Sequence, residues 1–269
     1  MAEMSGKIAA VTGGGGVLCS AMSKALAAEG VHVAVLDLKE EAAQKVVDEI
    51  RAEGGKATAV KTNVLDKENL LEAAETVHRE LGKIDILING AGGNKPTATA
   101  SPEQSFFDIP ADAVEWVFRL NCLGTILPSQ VFVPDMVAKK NGVVINIASM
   151  AGIRPLTRVV AYSAAKAAIA NFTQWFAVHM AREYSPGIRV NAIAPGFFLT
   201  AQNEYLLMDK ETDQPTERGK TILAHTPANR YGVPEDLLGT LRWLVSDDAA
   251  FVSGTIIPVD GAFSAFSGV

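Results

Sequence analysis

The 269-residue chain has only two cysteines and four histidines. Cys19 and Cys122 stand far apart, at neither a metal nor a redox spacing, and read as small buried residues. His32, His78, His179 and His225 include no pair at ligand spacing, so no metal site is expected. No apolar run reaches the ~18 residues of a membrane span. The opening run Met1-Ala2-Glu3-Met4-Ser5-Gly6-Lys7 lacks the apolar stretch of a secretion leader, and a cytoplasmic protein is expected. Basic residues are outnumbered, 24 against 30 acidic for a net charge of −6, and form no cluster. Nucleic acid and membrane are therefore not expected partners. What the chain does have is apolar material: 48% of residues are hydrophobic and 20% charged, enough for a sizeable core. An enzyme or a binder of small molecules remains.

Short β-rich runs alternate with helical ones, without repeats or low complexity. Strands are predicted at 7–12, 31–37, 56–62, 84–89, 142–149, 187–194 and 255–259. Several are almost continuously apolar, such as Val33-Ala34-Val35-Leu36 and Ile86-Leu87-Ile88, the pattern of parallel strands buried on both faces. Helices are predicted at 18–29, 39–53, 67–81, 112–139, 161–184 and 234–246. Right-handed β-α-β crossovers then give a Rossmann-type, doubly wound parallel sheet in a three-layer α/β/α single domain spanning residues 1–269. One polar excursion, 201–225, follows the sixth strand and mixes Leu206-Leu207-Met208 with Asp209, Lys210, Glu211 and Asp213. Long excursions of this kind are usually functional or disordered, and this one is expected to be a lid.

The first strand runs into Thr12-Gly13-Gly14-Gly15-Gly16-Val17-Leu18-Cys19 and then a helix. Glycines there let backbone approach a pyrophosphate, whose charge sits at the helix N-terminus. Read alone, the same run is a flexible β-α turn. Asp37 ends the second strand about twenty residues on, where a carboxylate accepts from the ribose hydroxyls of an adenosine. It would repel a 2′-phosphate, which favours NAD over NADP, although neighbouring Lys39 leaves NADP possible. The bland alternative is a helix cap ahead of Lys39-Glu40-Glu41. Asn63-Val64 after the third strand are placed to frame an adenine, and Asn89-Gly90-Ala91-Gly92 after the fourth to line the same crevice.

Tyr162 and Lys166 lie four residues apart on a predicted helix and so share a face. A phenol titrates near pH 10, far too high for a base near neutrality. A neighbouring ammonium is expected to lower that value. Ser149 at the end of the fifth strand is placed to hydrogen-bond a substrate oxygen, and Asn121 to anchor a water between lysine and solvent. The chemistry expected is hydride transfer between nicotinamide and a carbinol carbon, with Tyr162 moving the hydroxyl proton. Each residue taken singly is ordinary; their order along the chain is not.

With these motifs in place, the whole chain looks like a short-chain dehydrogenase/reductase. The resemblance implies a catalytic tetrad of Asn121, Ser149, Tyr162 and Lys166, with Tyr162 and Lys166 also touching the cofactor. It also implies cofactor contacts from Gly13, Gly14, Gly15, Gly16, Val17, Leu18, Asp37, Asn63, Val64, Asn89, Gly90, Ala91 and Gly92. Pro195, Gly196, Phe198 and Thr200 match the segment passing under the nicotinamide carboxamide. Asp260-Gly261 match a C-terminal turn. Val17 and Cys19 depart from the usual loop by occupying its second and third glycine positions, and Gly90 replaces the second asparagine of the commoner Asn-Asn-Ala-Gly. The runs Thr12-Gly13-Gly14-Gly15-Gly16-Val17-Leu18, Asn171-Phe172-Thr173-Gln174-Trp175 and Ala194-Pro195-Gly196-Phe197-Phe198-Leu199-Thr200 are similar to the D-mannonate oxidoreductase (fructuronate reductase) branch, where Val17 would be normal.

That branch implies a sugar acid as substrate, a small molecule needing polar partners and a cation. Asn94, Arg154, Arg158, Gln202 and Asn203, beside Ser149 and Tyr162, fall on segments expected to border the pocket; the arginines read equally well as solvated loop residues. Lys95 belongs to the same stretch. A reductase of neutral ketoses or 3-oxoacyl thioesters, and a catalytically silent cofactor-binding protein, are the competing expectations. The silent class typically loses the tyrosine or the lysine. A homotetramer built on helices 112–139 and 161–184 is implied by resemblance.

Overall fold

In the computed structural model, residues 4–200, 204–209 and 212–268 are described. Seven strands, β1 (Ile8–Thr12), β2 (His32–Asp37), β3 (Ala57–Lys61), β4 (Ile86–Asn89), β5 (Gly142–Ile147), β6 (Ile188–Pro195) and β7 (Ile256–Val259), form one sheet in the order β3-β2-β1-β4-β5-β6-β7. Every pairing is parallel. Because strand direction requires a return crossover each time, helices cover both faces. The order reverses between β1 and β4, which opens a crevice at the carboxyl ends of those strands.

Alternate strand residues feed the two faces. Ala9, Val11, Val33 and Val35 pack with α1 (Val17–Ala28), α2 (Glu40–Ala52) and α9 (Leu238–Val245). Ile8, Ala10, Ala34 and Leu36 pack with α3 (Lys67–Glu80), α5 (Gly124–Lys139) and α6 (Val160–Glu183). Local chemistry sets the helix ends. Asp66 caps α3 by accepting from the N–H groups of Glu68 and Asn69, and α2 begins with Glu40 and Glu41 and has Arg51 in its last turn, matching the helix dipole.

The expected helix 112–139 is interrupted. It runs as α4 (Ala111–Phe118), a π turn over Arg119–Leu123, and then α5. The Asn121 amide donates to the Val117 and Gly93 carbonyls, each at 2.8 Å, while Thr125 and Ser129 hydroxyls fold back on the Asn121 and Thr125 carbonyls. Side chains competing for ladder carbonyls widen the turn, and such π turns recur at functional sites. The excursion after β6 also differs from an irregular loop. Its described part holds α7 (Glu204–Leu207) and α8 (Glu217–Ala224), joined by a bridge between Met208 and Pro215. Leu207 and Ile222 are buried, and a Cβ on Gly219 would run into the Leu207 carbonyl, so the two helices press together.

The two departures at Cys19 and Gly90 prove to be one feature. A Cβ on Gly90 would collide with the Cys19 thiol and lie 2.8 Å from the Thr12 carbonyl, but 3.6 Å from the Cys19 Cβ. The thiol fills the room that a side chain at position 90 would take. Gly90→Ala is expected to destabilise by about 1–3 kcal/mol through overpacking, and Cys19→Ala to restore part of that loss, since the Thr12 carbonyl stays close. A double-mutant cycle by urea unfolding measures this; strictly additive changes would show that the two positions are independent.

Candidate active site

The end of β5 and the helix α6 bring Ser149, Tyr162 and Lys166 together. Ser149 follows β5, is 8% exposed, and its Oγ accepts the Ala151 N–H at 3.1 Å. The same side chain is near enough to the Tyr162 hydroxyl to favour its ionised form. One turn along α6, Lys166 is 5% exposed; its Nζ donates to the Ile147 carbonyl at 2.8 Å and lies 5.7 Å from the centre of the Tyr162 ring. Asn121 completes the cluster through its neighbours. A Cβ on Gly92 would fall 2.7 Å from Asn121 Oδ1 and 3.2 Å from Lys166 Nζ, so a side chain there would displace one of these two groups. Asn121 Oδ1 also accepts the Gly93 N–H at 3.2 Å.

The electrostatics correct one expectation. Lys166 was expected to pull the Tyr162 phenol down; instead burial pushes it up, with only the Ser149 side chain acting the other way. The ammonium is turned toward the Ile147 carbonyl, not the phenol oxygen, and burial lowers Lys166 itself to about 8. Desolvation disfavours both charged forms. The ligand-free cluster therefore holds Tyr162 as a neutral phenol, the form that gives a proton to a ketone. Its action as a base requires more positive charge at the site than Lys166 supplies.

The crevice beside this cluster is built for a dinucleotide. Gly16 caps α1 without a side chain, leaving the N–H groups of Val17, Leu18 and Cys19 to an outside acceptor. The Gly14 and Gly16 N–H groups are spent on the Leu36 and Gly13 carbonyls, shaping the turn. Gly13, at φ 64°, sits so close to Ala91 that a Cβ would lie 2.9 Å from its backbone. Thr12, fully buried, holds the two loops together by accepting the Gly90 and Ala91 N–H groups at 3.1 and 3.2 Å. Asp37 accepts from Gly15 N–H at 3.0 Å and Lys39 N–H at 2.9 Å, so its carboxylate stands at the rim with remaining acceptor capacity. An uncapped helix end for phosphate and a carboxylate for ribose are the donor and acceptor set that NAD needs.

The comparisons agree with this geometry. A family model described as short chain dehydrogenase matches residues 7–211. The chain belongs to that family. An uncharacterized oxidoreductase of Haemophilus influenzae is 50% identical over 99% of this chain and 96% of its own length. A crystal structure from Haemophilus influenza, provisionally named a D-mannonate oxidoreductase and holding NAD, is 49% identical with a TM-score of 0.93, covering 98% of this chain and 97% of that one. A NAD⁺-bound xylitol dehydrogenase is 30% identical with a TM-score of 0.87, covering 96% and 99%.

Other expected site residues of this short chain dehydrogenase hold partners outside the Ser149–Tyr162–Lys166 cluster. Asn89 is 1% exposed and its amide donates to Ser129 and Asn146, bracing β4 against α5 and β5. Val64 packs on Gly124, and Asn63 Oδ1 accepts the Leu65 N–H. Phe198 is buried against Gly232, while Pro195 and Gly196 lie at the end of β6, with Gly196 bonded to Val259 and pressed on Asp260. Thr200 closes its described stretch. Asn94 donates to Thr99, and Lys95 sits 5.5 Å over the Trp116 ring. Arg154 is exposed and donates from Nε to the Ser264 carbonyl at 3.2 Å. Arg158 lines a groove with Ala164 and Ala167 that includes none of Ser149, Tyr162 and Lys166. Gln202 and Asn203 lie outside the described residues. Sequence reasoning passed over the Thr12 hydroxyl and the Ile147 carbonyl; the first was legible as the residue before the glycines, whereas a backbone acceptor leaves no sequence signal.

Burial makes the Lys166 charge costly in the ligand-free fold. With a folded value near 8 against 10.5 when unfolded, the unfolded chain binds more protons between those pH values, so this group's contribution to stability rises with pH there. Lys166→Met is expected to remove that rise, worth up to about 3 kcal/mol. Urea unfolding of both proteins from pH 7 to 10.5 tests it; parallel profiles would refute the charge penalty.

Proposed function

We propose that this short chain dehydrogenase transfers a hydride between NAD and a secondary hydroxyl of a sugar acid, interconverting D-fructuronate and D-mannonate. The observation carrying the reaction class is the cluster of buried Ser149 and Lys166 with half-buried Tyr162, beside Gly92 of the β4 loop. When bound, the nicotinamide supplies hydride acceptance or donation. The groups that would hold it are the α1 N-terminus for pyrophosphate, Asp37 for the adenosine ribose, and Lys166 for the nicotinamide ribose. Ser149 orients the substrate oxygen, Tyr162 gives or takes its proton, and Asn121 holds the water path that resupplies Lys166. Asp37 repels a 2′-phosphate, which makes NADP the second-choice cofactor.

The sugar acid is supported by the provisional D-mannonate name of the 49%-identical structure and by Arg154, an exposed cation on the loop between Ser149 and Tyr162. A neutral polyol is the second reading, favoured by similarity to the xylitol dehydrogenase. Residues 201–225, with α7 and α8, act in this reading as the lid of a single 1–269 domain. A homotetramer is supported by the aromatic row on α6, Phe172, Trp175, Phe176, His179 and Tyr184, where Trp175 is 56% exposed. Among the described residues, no helix is long and apolar enough to cross a membrane; a cytoplasmic location is a separate part of this reading.

Nicotinamide absorbance followed with D-fructuronate, D-mannonate, gluconate, xylitol and simple ketoses, with NADH and NADPH compared, tests the substrate. Turnover of the uronate with NADH is the expected result; turnover of neutral compounds alone would replace this reading by the second. Tyr162→Phe is expected to lower kcat by about 10²–10⁴ while cofactor binding persists. Near-normal turnover would remove Tyr162 from the proton transfer.

A further inference from the structure

The cations around the site are held differently. Arg158 lies along the outer groove, and its charge falls on Glu103 and on Arg218 of α8. Arg154 belongs to the loop between Ser149 and Tyr162, where its N–H bonds to the Met150 carbonyl at 2.8 Å. Its side chain reaches across to residue 264, and only Nε is engaged, by the Ser264 carbonyl at 3.2 Å. Among the described residues, neither Nη carries a hydrogen bond or an ion pair.

The carbonyl that holds it is itself well fixed. Ser264 N–H donates to Asp260 Oδ2 at 2.9 Å, and Ala262 N–H to Asp260 Oδ1 at 3.0 Å. Asp260 is locked in place because Gly196 leaves room for it; a Cβ there would lie 2.6 Å from the Asp260 Cα. Phe263 packs edge-on to Phe197 at 5.2 Å, and Phe266 meets His225, at the end of α8, at 6.3 Å. The turn over 260–266 thus touches the segment after β6, the end of the lid helix and the Ser149–Tyr162 loop.

A guanidinium bound through Nε keeps its two Nη groups as a parallel pair, the geometry that meets both oxygens of a carboxylate. An exposed arginine otherwise loses about 2 kcal/mol of rotamer entropy on binding, and the tether removes part of that cost in advance. We propose that the C-terminal turn is the positioning element for the substrate carboxylate: the Ser264 carbonyl pins Arg154 through Nε, and the Nη pair receives the acid. This rests on the sugar-acid reading above. Acid preference then resides in the contact between the Ser149–Tyr162 loop and the C-terminus, not in Arg158.

The test uses full-length protein with NADH and compares kcat/KM for D-fructuronate with that for a neutral ketose. Arg154→Lys keeps the charge but loses the fork and the Nε bond. Ser264→Pro keeps Arg154 but removes the N–H that Asp260 holds. Both are expected to lower the acid-to-neutral ratio by about 10- to 100-fold, mainly through KM for the acid. Deleting residues 264–269 should act in the same way, and circular dichroism reports whether each variant folds. A ratio unchanged in Arg154→Lys overturns the carboxylate role, while the wild-type turnover of fructuronate leaves the substrate reading standing. A ratio that falls in Arg154→Lys but not in folded Ser264→Pro overturns the positioning role of the turn. Absence of sugar-acid turnover by the wild type overturns both readings together.

Discussion

Lys166 is a cation with 5% of its surface exposed, bonded to one backbone carbonyl at the end of a central strand. Burying an ammonium is expensive unless it is paired or hydrogen-bonded, and the surroundings of Lys166 follow from meeting that demand. Ile147 must end β5 with its carbonyl directed at α6. Gly92 leaves the space between Lys166 and Asn121 open, because a Cβ there would press on both side chains. Asn121, held on both sides of Gly93, then takes carbonyls from its own helix and forces the π turn. One buried charge thus links β5, α6, the β4 loop and the break between α4 and α5.

The cofactor crevice depends on backbone approaching backbone. Gly13 against Ala91, and Gly90 against Cys19 and Thr12, leave no space for side chains where the β1 and β4 loops meet. The Thr12 hydroxyl joins those loops from below. In this chain the thiol of Cys19 substitutes for volume that would otherwise sit at position 90, so two departures from the family's commoner motif cancel. Burial also holds Cys19 at about 12, keeping it a neutral packing group beside Lys166.

Much of the site was legible from spacing. Tyr162 and Lys166 share a helix face because four residues make roughly one turn, and Ser149 and Asp37 were placed by the ends of strands whose apolar runs were plain. What misled was direction. Asn89 and Phe198 lie on segments that border the crevice, yet their side chains turn into the core, because alternate residues at a strand end face opposite ways. Arg154 and Arg158 are four residues apart in one loop, and nothing in their spacing separates the one tied to the C-terminus from the one lying along an outer groove.

The chain's own order of residues determined the parallel sheet, the glycine crevice and the Tyr162–Lys166 pair, because periodicity and strand-end position are local properties that survive without knowledge of the fold. Tertiary structure decided the charge states and the partners. Whether Lys166 lowers Tyr162 depends on which way an ammonium turns; here it bonds the Ile147 carbonyl, and burial raises the phenol. Likewise, a contact between Arg154 and Ser264 joins residues 110 positions apart, a closeness that only the packed chain creates.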